Sequence, residues 1–162
     1  TDPSKPVEIA YFDRGPMDST KLLGAGSWSA YWYNGYIISS EIARGLDIFE
    51  LTASTLLSQN EIDAAKSVRF DYLNAQDQQK LVWPASFVLA RAYLDQLARS
   101  GGLAKARINT TRDALTRAER ASGQAQKDAL NKIATQLNTD VATSSDQPKM
   151  RMLIGVVGDL AK

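Results

Sequence analysis

The stretch SWSAYWYNGYIISSEIARGLDIFEL, residues 27–51, decides the fold class of this 162-residue chain. It holds two of the three Trp and three of the six Tyr residues, and its aromatic and β-branched composition is typical of strands. Asn34-Gly35 predicts a type I′ hairpin turn, because both central residues of that turn need a positive φ angle. Ala43-Arg44-Gly45 predicts a second tight turn. The stretch therefore predicts an antiparallel meander of three strands, the second and third being Tyr36–Glu41 and Leu46–Leu51.

Alternation along these strands assigns their side chains to two faces of a sheet. In the first strand one face carries Trp28, Ala30 and Trp32, and the other carries Ser29, Tyr31 and Tyr33. In the third strand one face carries Leu46, Ile48 and Glu50, and the other carries Asp47, Phe49 and Leu51. The same pattern predicts a further strand upstream, Val7–Phe12, so that the small sheet would have three to four strands.

After Thr52 the apolar period changes from 2 to about 3.6, which predicts helices. Ser58 and Glu61 form a capping-box pattern that opens a helix over residues 59–69. Asn74 predicts a short helix to Val82, and Pro84 opens another that ends at Gly101-Gly102. Amphipathic stripes over 103–121, 124–141 and 150–161 predict an antiparallel three-helix bundle. The fold class is thus α+β, with a β-meander in residues 1–57 and a helical region in residues 58–162, where the bundle spans 103–161.

The composition excludes several kinds of active site. The chain contains no His and no Cys, which excludes Ser-His-Asp triads, Cys-His pairs and structural zinc sites. No run of 18 apolar residues is present, so we expect no membrane span. We predict no catalytic set, no metal site and no cofactor. Because the chain does not begin with Met, we expect it to be a piece of a longer protein.

The strand sequences PVEIAYFDRGP and GSWSAYWYNGYIISSEIARGLDIFELT resemble the closing segment of bacterial LVIVD-repeat proteins, which are β-propellers. The resemblance covers about residues 6–57, and its most specific part is the run 29–51 with Gly45-Leu46-Asp47-Ile48. It implies that the strands form most of the last blade of a propeller and that the helices form a C-terminal extension. It also implies an exported protein, located in the periplasm, the cell envelope or outside the cell.

The resemblance implies a function as well as a fold. A single blade cannot cover both faces of its sheet and leaves strand edges unpaired. We therefore expect a non-catalytic structural or interaction module, whose partner is the upstream propeller part of the same parent protein or a second copy of the chain. The alternative is that the chain forms one wall of a carbohydrate or cell-wall binding site in the parent propeller.

Two groups of side chains are candidate ligand-binding residues. Asp13, Arg14, Glu41 and Arg44 lie next to turns and the end of a strand, where they would form either a polar binding cluster or a structural set of ion pairs. Tyr31 and Tyr33 would contribute either to a stacking platform for a sugar or to packing between elements.

Charge is unevenly distributed along the chain. Residues 1–51 carry four Lys or Arg against seven Asp or Glu, whereas residues 101–162 carry ten against six. A basic helical tail would bind nucleic acid, or it would be an ordinary solvated face. We favour the solvated face and predict no nucleic-acid partner.

Overall fold

The structure, a computed structural model, describes residues 4–77 and 79–162. Three strands are followed by five helices, which confirms the α+β class. The strands are β1 (Ser27–Tyr33), β2 (Tyr36–Glu41) and β3 (Gly45–Phe49). The helices are α1 (Gln59–Lys66), α2 (Phe87–Ser100), α3 (Lys105–Arg120), α4 (Gly123–Asp140) and α5 (Gln147–Leu160), with a 3-10 turn at Val141–Thr143.

The three strands form the predicted antiparallel meander in the order β1-β2-β3. The hairpin turn has φ angles of 50° at Asn34 and 99° at Gly35, as the Asn-Gly pair predicts. The predicted faces hold except at Trp28. A register irregularity between Ser27 and Ser29 leaves Trp28 without a cross-strand partner, and its side chain is 79% exposed. A bulged residue leaves the alternation because two residues on one strand oppose one on the other.

The predicted strand Val7–Phe12 is wrong. Among the described residues of this segment there is no strand, and Val7, Tyr11 and Phe12 are all largely exposed. The physical reason is the lack of a partner, since an alternating sequence becomes a strand only when its backbone N–H and C=O groups pair with a neighbouring strand.

The first helix begins as predicted but ends earlier. The Ser58 hydroxyl accepts the backbone N–H of Glu61 at 3.2 Å, and the Glu61 carboxylate accepts the backbone N–H of Ser58 at 2.7 Å, which completes the capping box. The helix ends at Lys66 and not at residue 69. The predicted short helix from Asn74 to Val82 is also wrong, because the described residues from 67 to 86 contain only turns and irregular chain.

The helical bundle has four helices, not three, because α2 packs against both α3 and α5. Its Leu94 and Leu97 are completely buried, and Gly101, with φ 68°, ends the helix and reverses the chain onto α3. The predicted boundary at residue 103 therefore excluded a helix whose apolar stripe is part of the same core. Helix α1 packs on the outside of α2.

The hydrophobic core lies in the helical region of the chain. Within residues 4–77 and 79–162, every buried hydrophobic side chain lies between Ile62 and Val157. The buried residues of the sheet with side-chain polar groups are Ser39, Glu41 and Asp47. The sheet thus buries polar groups and leaves its large apolar side chains half-buried or exposed, the reverse of an ordinary two-layer domain.

The tip of the β1–β2 hairpin attaches the sheet to the helical region. The Asn34 side chain accepts the backbone N–H of Phe70 at 2.7 Å and donates to the Phe70 carbonyl at 2.9 Å. The Tyr33 hydroxyl donates to the same carbonyl at 3.2 Å, and Lys66 forms an ion pair with Glu50. Asn34 therefore makes the hairpin turn and also connects it to the chain that follows α1.

We expect substitution of Asn34 by Gly to weaken this attachment and leave the turn intact. Glycine keeps the positive φ angle but removes both hydrogen bonds to Phe70. Amide hydrogen exchange at Phe70 should then accelerate about fivefold, since a hydrogen bond contributes about 1 kcal/mol. Asn34→Asp is the matched control, because it keeps the oxygen that accepts the Phe70 N–H. Equal exchange rates in wild type and the Gly variant would contradict the assignment.

Candidate functional site

A cavity of about 410 Å³ lies on the inner face of the sheet, under the N-terminal segment. Four of the six predicted site residues line it, namely Asp13, Arg14, Glu41 and Arg44. The four residues form two groups in the sequence, Asp13 with Arg14 and Glu41 with Arg44, and the fold of the chain brings the two groups together. The predicted cluster therefore exists as a spatial group, and its binding of a ligand stays a prediction.

Glu41 organises the rim of this cavity. Its carboxylate accepts the backbone N–H groups of Gly26 at 2.6 Å and of Ala43 at 2.8 Å, together with that of Arg44. These bonds, led by the one from Gly26, hold the pKa of Glu41 below its ordinary value. The carboxylate thus ties the β2–β3 turn to the residue before β1, and its oxygens are already occupied by donors.

Asp47 is the third acidic group of the cavity, beside Asp13 and Glu41, and it was not among the predicted ligand-binding residues. It is 9% exposed and forms an ion pair with Arg14. The Arg14 guanidinium also lies 5.5 Å from the centre of the Phe12 ring, which in turn packs against Phe49 with ring centres 4.7 Å apart. The alternation of β3, which puts Asp47 and Phe49 on one face, was the signal that would have found this group.

The remaining polar groups of the cavity are also engaged. The Asp13 carboxylate accepts the backbone N–H of Gly15 at 2.7 Å, and the Arg44 guanidinium donates to the Gly15 carbonyl at 3.3 Å. The hydroxyls of Ser27 and Ser39 are 2.7 Å apart. These contacts hold the N-terminal segment on the inner face of the sheet.

The two predicted tyrosines lie on the opposite face of the sheet and do not line the cavity. Tyr33 is at the hairpin tip, where its hydroxyl bonds to Phe70. Tyr31 pairs with Ile38, which pairs with Ile48. The structure therefore separates the charged residues from the tyrosines, and it does not form one ligand site from all six.

The outer face of the sheet is a continuous apolar surface. Tyr31, Ile38 and Ile48 form one row across the three strands, and Leu46 and Tyr36 flank it. Ile48 is 62% exposed and Leu46 is 59% exposed. We call these five residues the outer sheet face. Exposed apolar residues in contiguous patches mark interaction sites more often than isolated ones do.

Comparisons with protein-family models, curated proteins and solved structures found no match to this chain. The resemblance of the strand sequences to a propeller blade therefore stays a prediction. In residues 4–77 and 79–162, no helix is both long and apolar enough to cross a membrane. No three acidic side chains lie together as a metal-binding group in the described part of the chain.

Proposed function

We propose that this chain is a non-catalytic interaction module whose outer sheet face packs against further β-structure. The partner we propose is the upstream part of the same parent protein, an exported bacterial β-propeller, with the present strands as its last blade. The propeller and the export rest on the sequence resemblance. The interaction function rests on the sheet itself.

The observation that carries the proposal is the contrast between the two halves of the chain. The helical bundle buries its apolar stripes within itself, whereas the outer sheet face exposes large side chains from all three strands. A three-stranded sheet needs an apolar face covered by another layer to be stable. A partner with a flat apolar surface would supply that layer.

The strand edges support the same partner. In the order β1-β2-β3 both β1 and β3 are edge strands of the described sheet. β3 carries Leu46 and Ile48 and contains no Lys or Pro, the residues that commonly protect an exposed edge from pairing. A partner strand would extend the sheet at this edge, and a second layer of the same partner would cover the outer sheet face.

The non-catalytic part of the proposal rests on the cavity. Its buried carboxylates, Glu41 and Asp47, are held by backbone N–H groups and by Arg14. The alternative, a wall of a carbohydrate site, would use Tyr31 as a stacking ring, and its exposure of 41% favours that role. Saturable quenching of Trp fluorescence by glycans would support the alternative.

Ile48→Asp tests the proposed interface. Light scattering would measure the mass of the chain alone and after addition of the upstream part of the parent protein. We expect a one-to-one complex with the wild-type chain and at least about tenfold weaker binding for Ile48→Asp, because the variant buries an unpaired carboxylate. Circular dichroism of the variant should show an unchanged helical content.

Met152→Asp is the matched control, because Met152 is an exposed apolar residue on α5 at 45%. It should bind the upstream part as the wild type does. The proposal would be overturned if the chain is a stable monomer that does not bind the upstream part. If the chain alone forms a dimer and Ile48→Asp dissociates it, the outer sheet face is still the interaction surface. The partner would then be a second copy of the chain and not the upstream part.

A further inference from the structure

A second cavity, of about 590 Å³, lies between the N-terminal segment and the helical bundle. Its walls combine apolar side chains, among them Val7, Ile9 and Leu57, with polar side chains from the end of α2 and the beginning of α5. It shares no residue with the outer sheet face or with the cavity on the inner face. An apolar wall with a few polar groups is the usual composition of a small-ligand site.

Lys149 is the unusual residue of this cavity. It lies in the first turn of α5 and is 8% exposed. Its ammonium lies 5.1 Å from the centre of the Tyr93 ring, and among residues 4–77 and 79–162 it has no hydrogen bond or ion pair. Among the described residues no buried side-chain nitrogen lacks a hydrogen-bond partner, so this unpaired ammonium is in contact with solvent and the aliphatic stem of Lys149 is the buried part.

The acidic groups of the cavity are engaged elsewhere. Glu61 accepts two bonds from the Arg99 guanidinium, at 2.9 and 2.5 Å. Asp146 caps α5 by accepting the backbone N–H of Lys149 at 3.1 Å, and it accepts the Ser100 hydroxyl at 3.3 Å. The Lys149 ammonium is therefore available to form an ion pair with an anionic group that enters the cavity.

We propose that this cavity binds a monocarboxylate attached to an apolar body, with the carboxylate on the Lys149 ammonium. Two features support an organic monoanion. The lining residues include three cations and two carboxylates, so the cavity has a net charge of one positive unit, which a monoanion would neutralise. The cations are Lys5, Arg99 and Lys149, and the carboxylates are Glu61 and Asp146. The apolar wall formed by Val7, Ile9 and Leu57 would contact an aliphatic body and would offer nothing to a bare inorganic ion.

The Asp146 carboxylate already occupies the anion position at the beginning of α5, so the attraction for a ligand carboxylate comes from the lysine ammonium and not from the helix terminus. A dianion such as phosphate would face the carboxylates of Glu61 and Asp146 and would leave the apolar wall without contacts. A free organic acid and the carboxyl terminus of an apolar peptide share the required chemistry.

Calorimetric titration of the full chain tests the proposal with defined probes. The probes are hexanoate, its neutral counterpart hexanamide, inorganic phosphate, and the peptide acetyl-Ala-Leu-Leu with either a free or an amidated carboxyl terminus. We expect hexanoate to bind at least about tenfold more tightly than hexanamide, because the ion pair with Lys149 is a charge-assisted hydrogen bond. Tighter binding of the free-carboxyl peptide than of hexanoate would identify a peptide terminus as the source, and the reverse would identify a small acid.

Lys149→Met should weaken the binding of hexanoate about tenfold or more and leave hexanamide unaffected, since it removes the charge and keeps an apolar side chain. Lys132→Met, at an exposed position of α4, is the matched control and should bind as the wild type does. Without ligand, Lys149→Met should melt at about the same temperature as the wild type, because the ammonium makes no hydrogen bond or ion pair and the Met side chain keeps the apolar packing of the stem.

Three results would each overturn the proposal. The first is the absence of saturable binding of either carboxylate probe up to about 10 mM, a concentration that would detect even the weak affinity expected of so small a ligand. The second is equal affinity for hexanoate and hexanamide, a comparison that needs no variant and holds even where Lys149→Met does not fold. The third is tighter binding of phosphate than of hexanoate.

Discussion

Replacement of Leu94 by Ala is expected to lower the free energy of unfolding of the helical bundle by about 3 kcal/mol. Leu94 is completely buried in α2, among the side chains of the four-helix core. Truncation removes apolar contacts and leaves a cavity that the surrounding helices fill only in part. In a region of this size the melting temperature should fall by roughly 12–20 °C, measured by circular dichroism at a helical wavelength.

Met152→Ala is the control for this prediction. Met152 lies on α5 in the same bundle, but it is 45% exposed, so that its truncation should change the free energy of unfolding by no more than about 0.5 kcal/mol. A small effect of Leu94→Ala would mean that α2 is not part of the core. The bundle would then have the three helices that the sequence alone predicts.

Glu61→Ala is expected to cost about 2–3 kcal/mol of stability, the second large effect in this chain. Glu61 is 9% exposed and does two things at once. It closes the capping box of α1 on Ser58, and it holds the guanidinium of Arg99 on α2 through both carboxylate oxygens. Its loss leaves the α1 cap open and Arg99 without its partner. Chemical denaturation followed by circular dichroism would measure the change.

Glu119→Ala is the matched control, because Glu119 pairs with Arg91 near the surface and its side chain is 43% exposed. Such a pair contributes at most about 1 kcal/mol. If both variants lost the same stability, the burial and the capping function of Glu61 would have no energetic consequence.

The pKa of Glu61 gives this prediction a pH dependence. Burial alone would raise the pKa, but hydrogen bonds from Arg99, the Ser58 backbone and Gln96 outweigh it and hold the pKa below its ordinary value. A lowered pKa in the folded state stabilises the protein above the unfolded value of about 4.3. That contribution is lost as the pH falls through the lowered value. The difference in stability between wild type and Glu61→Gln should therefore shrink below about pH 4.

Local sequence signals predicted the elements whose geometry depends on a few neighbouring residues. Asn34-Gly35 predicted the hairpin, and Ser58 with Glu61 predicted the start of α1. The predictions that failed needed a partner distant in sequence. Val7–Phe12 alternates like a strand but has no neighbour to pair with in the described chain, and the amphipathic pattern of α2 does not reveal which helices cover it.

For the candidate site, too, the sequence predicted the features that depend on nearby residues and not those that depend on distant contacts. The positions of Asp13, Arg14, Glu41 and Arg44 beside turns predicted that they would meet, and they line one cavity. The sequence did not show that backbone N–H groups occupy the Glu41 carboxylate, since this depends on the register of β1 against β2, which places Gly26 beside Glu41, and on the conformation of the β2–β3 turn. It also did not distinguish Lys149 from the other lysines, because only the packing of α5 against α2 buries it.

By itself, then, the sequence determined the α+β class, the hairpin and the absence of His and Cys chemistry, since each is a local or compositional property. The tertiary structure alone decided which faces are covered. The helices satisfy their apolar stripes against one another, and the sheet turns its polar face inward under the N-terminal segment. Burial depends on contacts between distant parts of the chain, and for that reason the exposed outer sheet face and the unpaired ammonium of Lys149 became visible only in three dimensions.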